Sequence, residues 1–309
     1  MTDDELPEAE DDRLMAVPIT DDFAQVAAQV LREYREMVEG SITHLGPDAA
    51  SPFMTEVAAI NSTPDPLGSA RGSLHAMLLE IAGLSFDTAV DNVKALEHDI
   101  VRNPPPVWSP LVLARAVLES CLFFDYLFYP SISGALRLAR CAGLWHKDTD
   151  HSSNLAKILE QEEEAEDLRA YVRKALAECN IVARTSTSGK ITGYIVDGEV
   201  SNLDFVITER TKSSLPSWLP MPYGLLSGAA HSRPWMTNRA RTMSKDGSGL
   251  VGEAATVMTA IMVAMASMEM CLRIFQGYFG YELDAALAEL EEYREFMFLR
   301  LIGLAHATE

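Results

Sequence analysis

The chain has 309 residues, of which 45 are acidic and 25 are basic, so its formal net charge is −20. With 48% hydrophobic and 23% charged residues, the composition is that of a globular protein and excludes a wholly disordered chain. So acidic a protein is not expected to bind duplex DNA through a broad basic surface. The cysteines are widely spaced and form no CxxC pair, which indicates free thiols in a reducing compartment; they are Cys121, Cys141, Cys179 and Cys271.

The first twelve residues contain seven acidic side chains and no basic one, the opposite of the charged start of a signal peptide. We therefore expect a cytoplasmic protein in which residues 1–19 form a disordered acidic tail. One apolar stretch, residues 254–268, is too short for a membrane-spanning helix, which needs roughly 20 apolar residues. This stretch predicts a buried central helix, and we expect no association with a membrane.

The spacing of apolar residues predicts an all-α protein, a multi-helix bundle with a small β-hairpin insert. A first helix follows the N-cap candidates Thr20, Asp21 and Asp22. The proline-containing stretch 41–67 is predicted to be irregular, and two helices are predicted within 69–101, separated by a break at 83–85. Three prolines at 104–106 then stop helix formation. They predict a boundary between an N-terminal helical region, residues 20–105, and a helical bundle, residues 106–309.

The second region is also predicted to be mostly helical. Ser109 is a natural N-cap and is followed by Pro110, which predicts the start of a helix over 111–129. This helix is apolar on all sides, so we expect it to lie in the core. Helices from 130 to about 145 and from 152 to about 179 are joined by a predicted polar loop at 146–151. The hairpin insert is predicted near 190–207. A short helix near 223–231, the buried helix from 254 and a last helix from about 283 to 304 complete the chain.

The sign of the charge reverses in one segment, which we call the cationic segment. Residues 210–245 contain six basic side chains and no acidic one, whereas acidic residues outnumber basic ones by 45 to 19 elsewhere. Cations interleaved with tryptophan and tyrosine are typical of sites for an anion, a phosphate group or single-stranded nucleic acid. The alternative is that the segment pairs with an acidic helix of this chain or of a second copy. The basic residues are Arg210, Lys212, Arg233, Arg239, Arg241 and Lys245.

Two side-chain pairs carry the candidate chemistry. Arg115 and Glu119 are four residues apart on one face of the apolar helix, so they either form a core ion pair or face a polar cavity. In the second case Arg115 binds an anion and Glu119 acts as a base or orients a histidine. Ser227 and His231 also share a helical face, as in nucleophilic catalysis, although a GxSxG motif is absent.

These pairs define the candidate site. The predicted catalytic residues are Arg115, Glu119 and His231, with no cofactor. The predicted ligand-binding residues are Tyr223, Ser227, Arg233, Trp235 and Arg239.

A third pattern combines Arg140 with His146, an arginine followed by a histidine at the permissive spacing used by HEPN-type ribonucleases. There the guanidinium holds a phosphate and the imidazole moves a proton from a ribose 2′-hydroxyl. The polar run at 146–151 superficially suggests a metal cluster, but its spacing fits no standard site. We therefore predict a connecting loop and no metal.

The motif of Arg115 to Ser120, together with Tyr223, Ser227, His231 and Trp235, is similar to a family of helical proteins common in actinobacteria that distantly resembles the HEPN superfamily. The resemblance covers roughly residues 108–241. It implies helical bundles, frequent dimers, and RNA cleavage or binding of RNA and nucleotides in defence systems. No arginine lies four to six residues before His231, which departs from the pattern of active HEPN ribonucleases.

Three hypotheses follow for function. The first is an intracellular binding protein, in a defence or regulatory system, with a small cationic site for RNA or a phosphorylated ligand and a tendency to form homodimers. The second is a metal-independent HEPN-type ribonuclease. The third is a non-catalytic scaffold for protein interactions, in which the cationic segment meets an acidic helix of a partner.

Overall fold

The computed structural model describes residues 17–43, 45–203, 205–216, 219, 222–233, 241–243 and 250–306. Within these ranges it contains ten helices and two small antiparallel sheets, which confirms the predicted all-α bundle with a small β insert. The helices are α1 (Asp21–Ile42), α2 (Pro52–Ser62), α3 (Leu67–Ile100), α4 (Ser109–Phe128), α5 (Gly134–Ile158), α6 (Glu162–Glu178), α7 (Ile207–Ser214), α8 (Pro222–Ala230), α9 (Ala254–Phe279) and α10 (Asp284–His306). The strands are β1 (Val182–Thr185), β2 (Ile191–Val196), β3 (Glu199–Asn202), β4 (Arg241–Met243) and β5 (Leu250–Gly252).

Helix α4 lies at the centre of the molecule, between α3 and α9, and α1 packs against α3 and α9. Its apolar side chains are buried around most of its circumference, as its sequence predicts. The Met-rich helix α9 is longer than predicted, 26 residues, because Cys271, Leu272 and Ile274 continue its buried surface. Among the described residues α9 alone has the length and hydropathy of a membrane span, and 78% of its most apolar stretch is buried inside the molecule.

Helices from both sides of the proline segment contribute to one hydrophobic core. The assignment of residues 17–19 to a disordered tail is wrong, because this short segment pairs with the start of α9. Ile19 is buried and donates its amide to the Gly252 carbonyl at 3.2 Å, and Ala254 donates to the Val17 carbonyl at 2.9 Å. Residues 1–16 lie outside the described residues.

The first region contains more helix than predicted. Helix α2 forms within the stretch expected to be irregular, because Ser51 caps it by accepting from the Met54 amide at 3.2 Å and Pro52 occupies its first turn. The predicted break at 83–85 is also wrong, since α3 is one helix of 34 residues. Ala82 and Phe86 on either side of the exposed Gly83 are buried, and this packing outweighs the weak helix propensity of glycine.

Two boundaries in the second region also differ from prediction. Trp108 occupies the N-cap position of helix α4 without a side-chain capping hydrogen bond, and the Ser109 hydroxyl donates to Asp99 instead. The predicted loop at 146–151 is helical, because α5 continues to Ile158 and the break before α6 falls at 159–161. An i, i+4 contact of 3.4 Å between His146 and Asp150 supports this continuous helix.

The β insert has three antiparallel strands in the order β1-β2-β3, one more than predicted. Tyr194 in the central strand lies opposite Ala183 on one side and Ser201 on the other. The hairpin ends earlier than predicted, because the chain enters α7 at Ile207. The sheet packs against α5. Residues of both elements line a cavity that is described below.

Candidate functional site

The candidate site forms where the short helix α8 packs against α4. Arg115 and Glu119 are one turn apart on α4, and Arg115 Nε donates to Glu119 Oε1 at 2.7 Å. Tyr223, at the start of α8, accepts from Arg115 Nη2 at 3.1 Å and donates to Glu119 Oε1 at 3.2 Å. The structure therefore brings together three of the predicted site residues in a closed hydrogen-bonded triangle.

The Arg115–Glu119 pair is partly buried, so it lies neither fully in the core nor fully in solvent. The Arg115 side chain is 17% exposed and the Glu119 side chain 34%, so both are reached by solvent from one side. Burial lowers the pKa of Arg115, but the Glu119 carboxylate and the Tyr223 hydroxyl outweigh it and the pKa is raised overall. Burial and the Glu119 carboxylate raise the pKa of Tyr223. The site therefore holds a fixed guanidinium and a protonated phenol.

His231 joins this triangle from the turn that ends α8. Its Nε2 lies 3.4 Å from Arg115 Nη1, and its imidazole is exposed. Arginine only donates hydrogen bonds, so in this contact the guanidinium is the donor and the ring nitrogen of His231 is the acceptor. The backbone builds the turn: His231 donates to the Ser227 carbonyl at 3.0 Å, and Arg233 donates to the Gly228 carbonyl at 2.9 Å. Ser227, which is half-buried, lies between Tyr223 and His231 in the sequence. Arg233, which is exposed, follows two residues after His231.

The rest of the cationic segment is only partly described. Arg210 pairs with the buried Asp125 of α4 and lies 4.8 Å from the ring centroid of Tyr129. Asp125 lies on the apolar helix α4 and not on an acidic helix, so this pair does not show the expected alternative, in which the segment pairs with an acidic helix. Lys212 and Arg233 are exposed. The predicted ligand-binding residues Trp235 and Arg239, together with Trp218 and Lys245, lie outside the described residues.

Arg140 and His146, the candidates for a ribonuclease pattern, contact different neighbours. Arg140 donates to the Tyr126 carbonyl and lies 4.4 Å from the centroid of the Tyr126 ring. His146 lies near Asp150 and meets Tyr194 edge-on at 5.9 Å. Six residues along one helix separate them by about 9 Å and turn them to different sides. The structure therefore does not bring this pair into one site.

Two further cavities have charged linings that the sequence did not predict as sites, although Arg140 and Arg210 were named there for other reasons. Arg140 lines one of about 680 Å³ together with Arg184 and Arg210. Its walls come from α4, α5, the sheet and α7, so local periodicity could not reveal it. The other, of about 240 Å³, lies beside Glu56 and His75. Within the described ranges no group of three or more His, Cys, Asp or Glu side chains is arranged to hold a metal ion.

The buried polar network beside the smaller cavity centres on Glu56. Arg137 Nε donates to Glu56 Oε2 at 3.2 Å, and the Tyr278 hydroxyl donates to the same oxygen at 2.8 Å. His75 Nε2 lies 3.7 Å from Glu56 Oε2, beyond hydrogen-bond distance. An arginine between apolar residues of α5 was the only sign of this network in the sequence. The network joins α2, α3, α5 and α9, which indicates a structural role.

Comparisons of the chain with protein-family models, with curated proteins and with solved structures find no match. The functional assignment therefore rests on the chemistry and geometry of the site itself.

Proposed function

We propose that this protein is a binding module whose surface site at Arg115 and His231 recognises the phosphate group of RNA or of a phosphorylated ligand. One observation carries the proposal. Two side chains 116 residues apart in sequence meet at the surface, with 3.4 Å between Arg115 Nη1 and His231 Nε2.

The guanidinium of Arg115 is held in place and still has donors to offer. Glu119 takes the Nε donor, while Tyr223 and His231 each take one donor from the two terminal nitrogens. Arginine has five N–H donors, so two remain for a ligand. A guanidinium whose orientation is already fixed loses little conformational freedom when it binds a phosphate.

His231 and Arg233 add to this preference for anions. The imidazole of His231 can donate a hydrogen bond to a phosphate oxygen through a ring N–H. Arg233 is exposed two residues further along. Arg115 is therefore close to His231 in space, and Arg233 is close to it in sequence, so two cations lie near this histidine in a protein whose net charge is −20.

A shallow apolar depression of about 400 Å³ adjoins the site. Glu119 forms part of its lining, together with Leu84 and Phe123. Leu84 is 59% exposed, so an apolar surface is available beside the phosphate contacts. A planar base can lie on such a surface without sequence-specific hydrogen bonds, which suits a nucleotide or a short stretch of RNA.

The test is fluorescence anisotropy with a labelled single-stranded oligoribonucleotide, and with a labelled mononucleotide as the second probe. We expect Arg115→Gln to weaken binding of at least one probe tenfold or more, because it removes the fixed cation. Arg173→Gln is the matched control, since Arg173 is exposed and paired with Glu166 on α6. The mononucleotide identifies a small phosphorylated ligand, and binding of the oligonucleotide alone identifies RNA.

Equal affinity of the wild type and Arg115→Gln for both probes would contradict the proposal. Failure of the wild type to bind either probe would favour the scaffold hypothesis.

The relation to the HEPN superfamily, the homodimer and the cytoplasmic location remain predictions from sequence. The ribonuclease hypothesis also remains a prediction. The separate surroundings of Arg140 and His146 do not favour it over binding alone.

A further inference from the structure

Phe205 lines the cavity of about 680 Å³ and packs edge-on against Phe123, which borders the depression beside Glu119. The lining of the cavity includes three arginines from three different elements: Arg140 from α5, Arg184 from β1 and Arg210 from α7. Cavities of 300–1,000 Å³ are typical of small-molecule sites. Three converging guanidinium groups in a strongly acidic protein need a physical explanation.

Arg140 has no carboxylate within hydrogen-bond distance among the described residues. Its guanidinium donates to the Tyr126 carbonyl and lies over the Tyr126 ring. Burial lowers the pKa of Arg140, and the neighbouring charges of Arg210 and Arg137 add to this effect, while Tyr126 and the Asp125 carboxylate only partly oppose it. A half-buried cation that has no carboxylate hydrogen-bonded to it is destabilising. A bound anion would relieve this cost.

The other two arginines are held in fixed orientations. Arg184 donates from Nη2 to Asn202 Oδ1 at 2.7 Å and from Nε to Thr192 Oγ1 at 3.2 Å, and both acceptors are neutral. Arg210 is paired with Asp125. If Arg210 is counted as neutralised by Asp125, the described lining still contains two cations, Arg140 and Arg184. It contains one carboxylate, that of the exposed Glu209. The described lining therefore carries net positive charge.

The lining also provides an apolar surface and neutral donors. The rings of Tyr126 and Phe205 are in contact, with centroids 4.9 Å apart. Both rings border the cavity, as do Thr192 and Ser213. We propose that this cavity is a second binding site, for a small molecule that carries a phosphate or pyrophosphate group on an organic part of modest size.

This site is separate from the one in the proposed function. Glu119 and Tyr126, which border the two sites, are seven residues apart on α4 and therefore about 10 Å apart along its axis. Phe123 and Phe205 pack edge-on between them at 5.7 Å. Variants of either site can therefore be tested independently.

The experiment is isothermal titration of the full chain with sodium pyrophosphate, with inorganic phosphate and citrate as further probes. We expect saturable binding of pyrophosphate that is at least tenfold weaker in Arg140→Met and in Arg184→Gln. Glu209→Gln removes the opposing carboxylate, so we expect it to tighten binding. Arg115→Gln and Arg173→Gln should leave pyrophosphate affinity within twofold of the wild type.

A stability measurement accompanies the titration, because Arg140→Met also removes a buried charge. We expect its unfolding temperature without pyrophosphate to equal or exceed that of the wild type, while the increase caused by pyrophosphate disappears. If Arg140→Met does not fold, the opposite shifts of Arg184→Gln and Glu209→Gln still test the site.

Several outcomes would overturn the inference. They are no binding of pyrophosphate by the wild type, equal affinity in the arginine variants, or stronger binding of citrate than of pyrophosphate. Loss of pyrophosphate binding in Arg115→Gln alone would overturn it as well, while leaving the proposed function in place.

Discussion

Arg137 is the largest side chain that is completely buried in the described part of the chain. It is stable there because every side of its guanidinium has a partner. Glu56 neutralises its charge, the Leu127 carbonyl accepts from Nη1, and the Tyr278 ring centroid lies 4.0 Å from Cζ. Arg137 therefore stabilises the fold, whereas Arg140, which has no hydrogen-bonded carboxylate among the residues that the structure describes, is the arginine that we propose binds a ligand.

The Arg137–Glu56 pair gives the first prediction for stability. Glu56→Gln should destabilise the protein by about 3–5 kcal/mol, because it leaves a fully buried guanidinium without a counter-charge. The free energy of unfolding from urea titration measures the effect. Replacing both partners, as in Glu56→Leu with Arg137→Met, should restore part of the loss, since no unpaired charge remains. A loss below about 1 kcal/mol in the single variant would refute this account.

The same carboxylate should make stability depend on pH. Burial raises the pKa of Glu56, but His75, Arg137 and Tyr278 together hold it below the ordinary value of 4.5. The unfolded state therefore takes up a proton before the folded state does. The contribution of Glu56 is complete above pH 4.5 and is lost as the pH falls through the folded-state pKa. Urea titrations between pH 6 and pH 3 should show a smaller decline for Glu56→Gln than for the wild type.

At the scale of elements, helix continuity was the least predictable property. Gly83 suggested a break in α3, yet the structure has an unbroken helix in which this glycine faces solvent. Glycine weakens a helix by roughly 1 kcal/mol, whereas the buried residues Leu78, Ala82 and Phe86 hold the same turns against the core. Local propensity therefore yields to tertiary packing.

The continuity of α3 can be tested by Gly83→Ala. The new Cβ would meet nothing within 4 Å, so alanine should raise the free energy of unfolding by about 0.5–1 kcal/mol. Gly280→Ala is the contrasting variant. Gly280 ends α9 with φ +75°, and its Cβ would lie 2.8 Å from Asp48 Cβ. It should destabilise the protein by at least about 1 kcal/mol. Destabilisation by Gly83→Ala would indicate a break in α3.

At the scale of the whole molecule, charge limits the kind of ligand that can bind. A net charge of −20 repels a long polyanion everywhere except near local clusters of cations. The Arg115 site offers a few cations over a short distance. The molecule as a whole is therefore suited to one or a few phosphate groups and not to a long nucleic acid.

We expect affinity to depend only weakly on the length of the RNA. Affinity should stop rising beyond a few nucleotides, because additional phosphates meet acidic surface. The logarithm of the binding constant should fall with the logarithm of salt concentration with a slope of about −1.4 to −2.1, as expected for two or three neutralised phosphates on a single strand. Anisotropy titrations with oligoribonucleotides of increasing length provide the measurement. Affinity that keeps rising with length would point to a basic groove.

Much of the architecture could be predicted from the sequence, because the apolar pattern of a single helix already indicates whether that helix is buried. A helix that is apolar all round, such as α4 or α9, has only one favourable place, the core. The boundaries at 83–85 and 146–151 were wrong because side-chain pairs and packing extend helices past weak formers. Strand β1 was missed because its four residues are all exposed and so lack the alternation that marks a strand.

The class of the fold, the burial of α4 and α9, and the position of Arg115 and Glu119 on one helix face follow from the sequence, because each depends on spacing along one helix. Only the tertiary structure decided that His231 meets Arg115, that Arg140 faces away from His146, and that Arg184 and Arg210 join Arg140 around a cavity. Side chains separated by tens of residues are brought together by the packing of several helices. Their convergence therefore has no periodic signal in the chain.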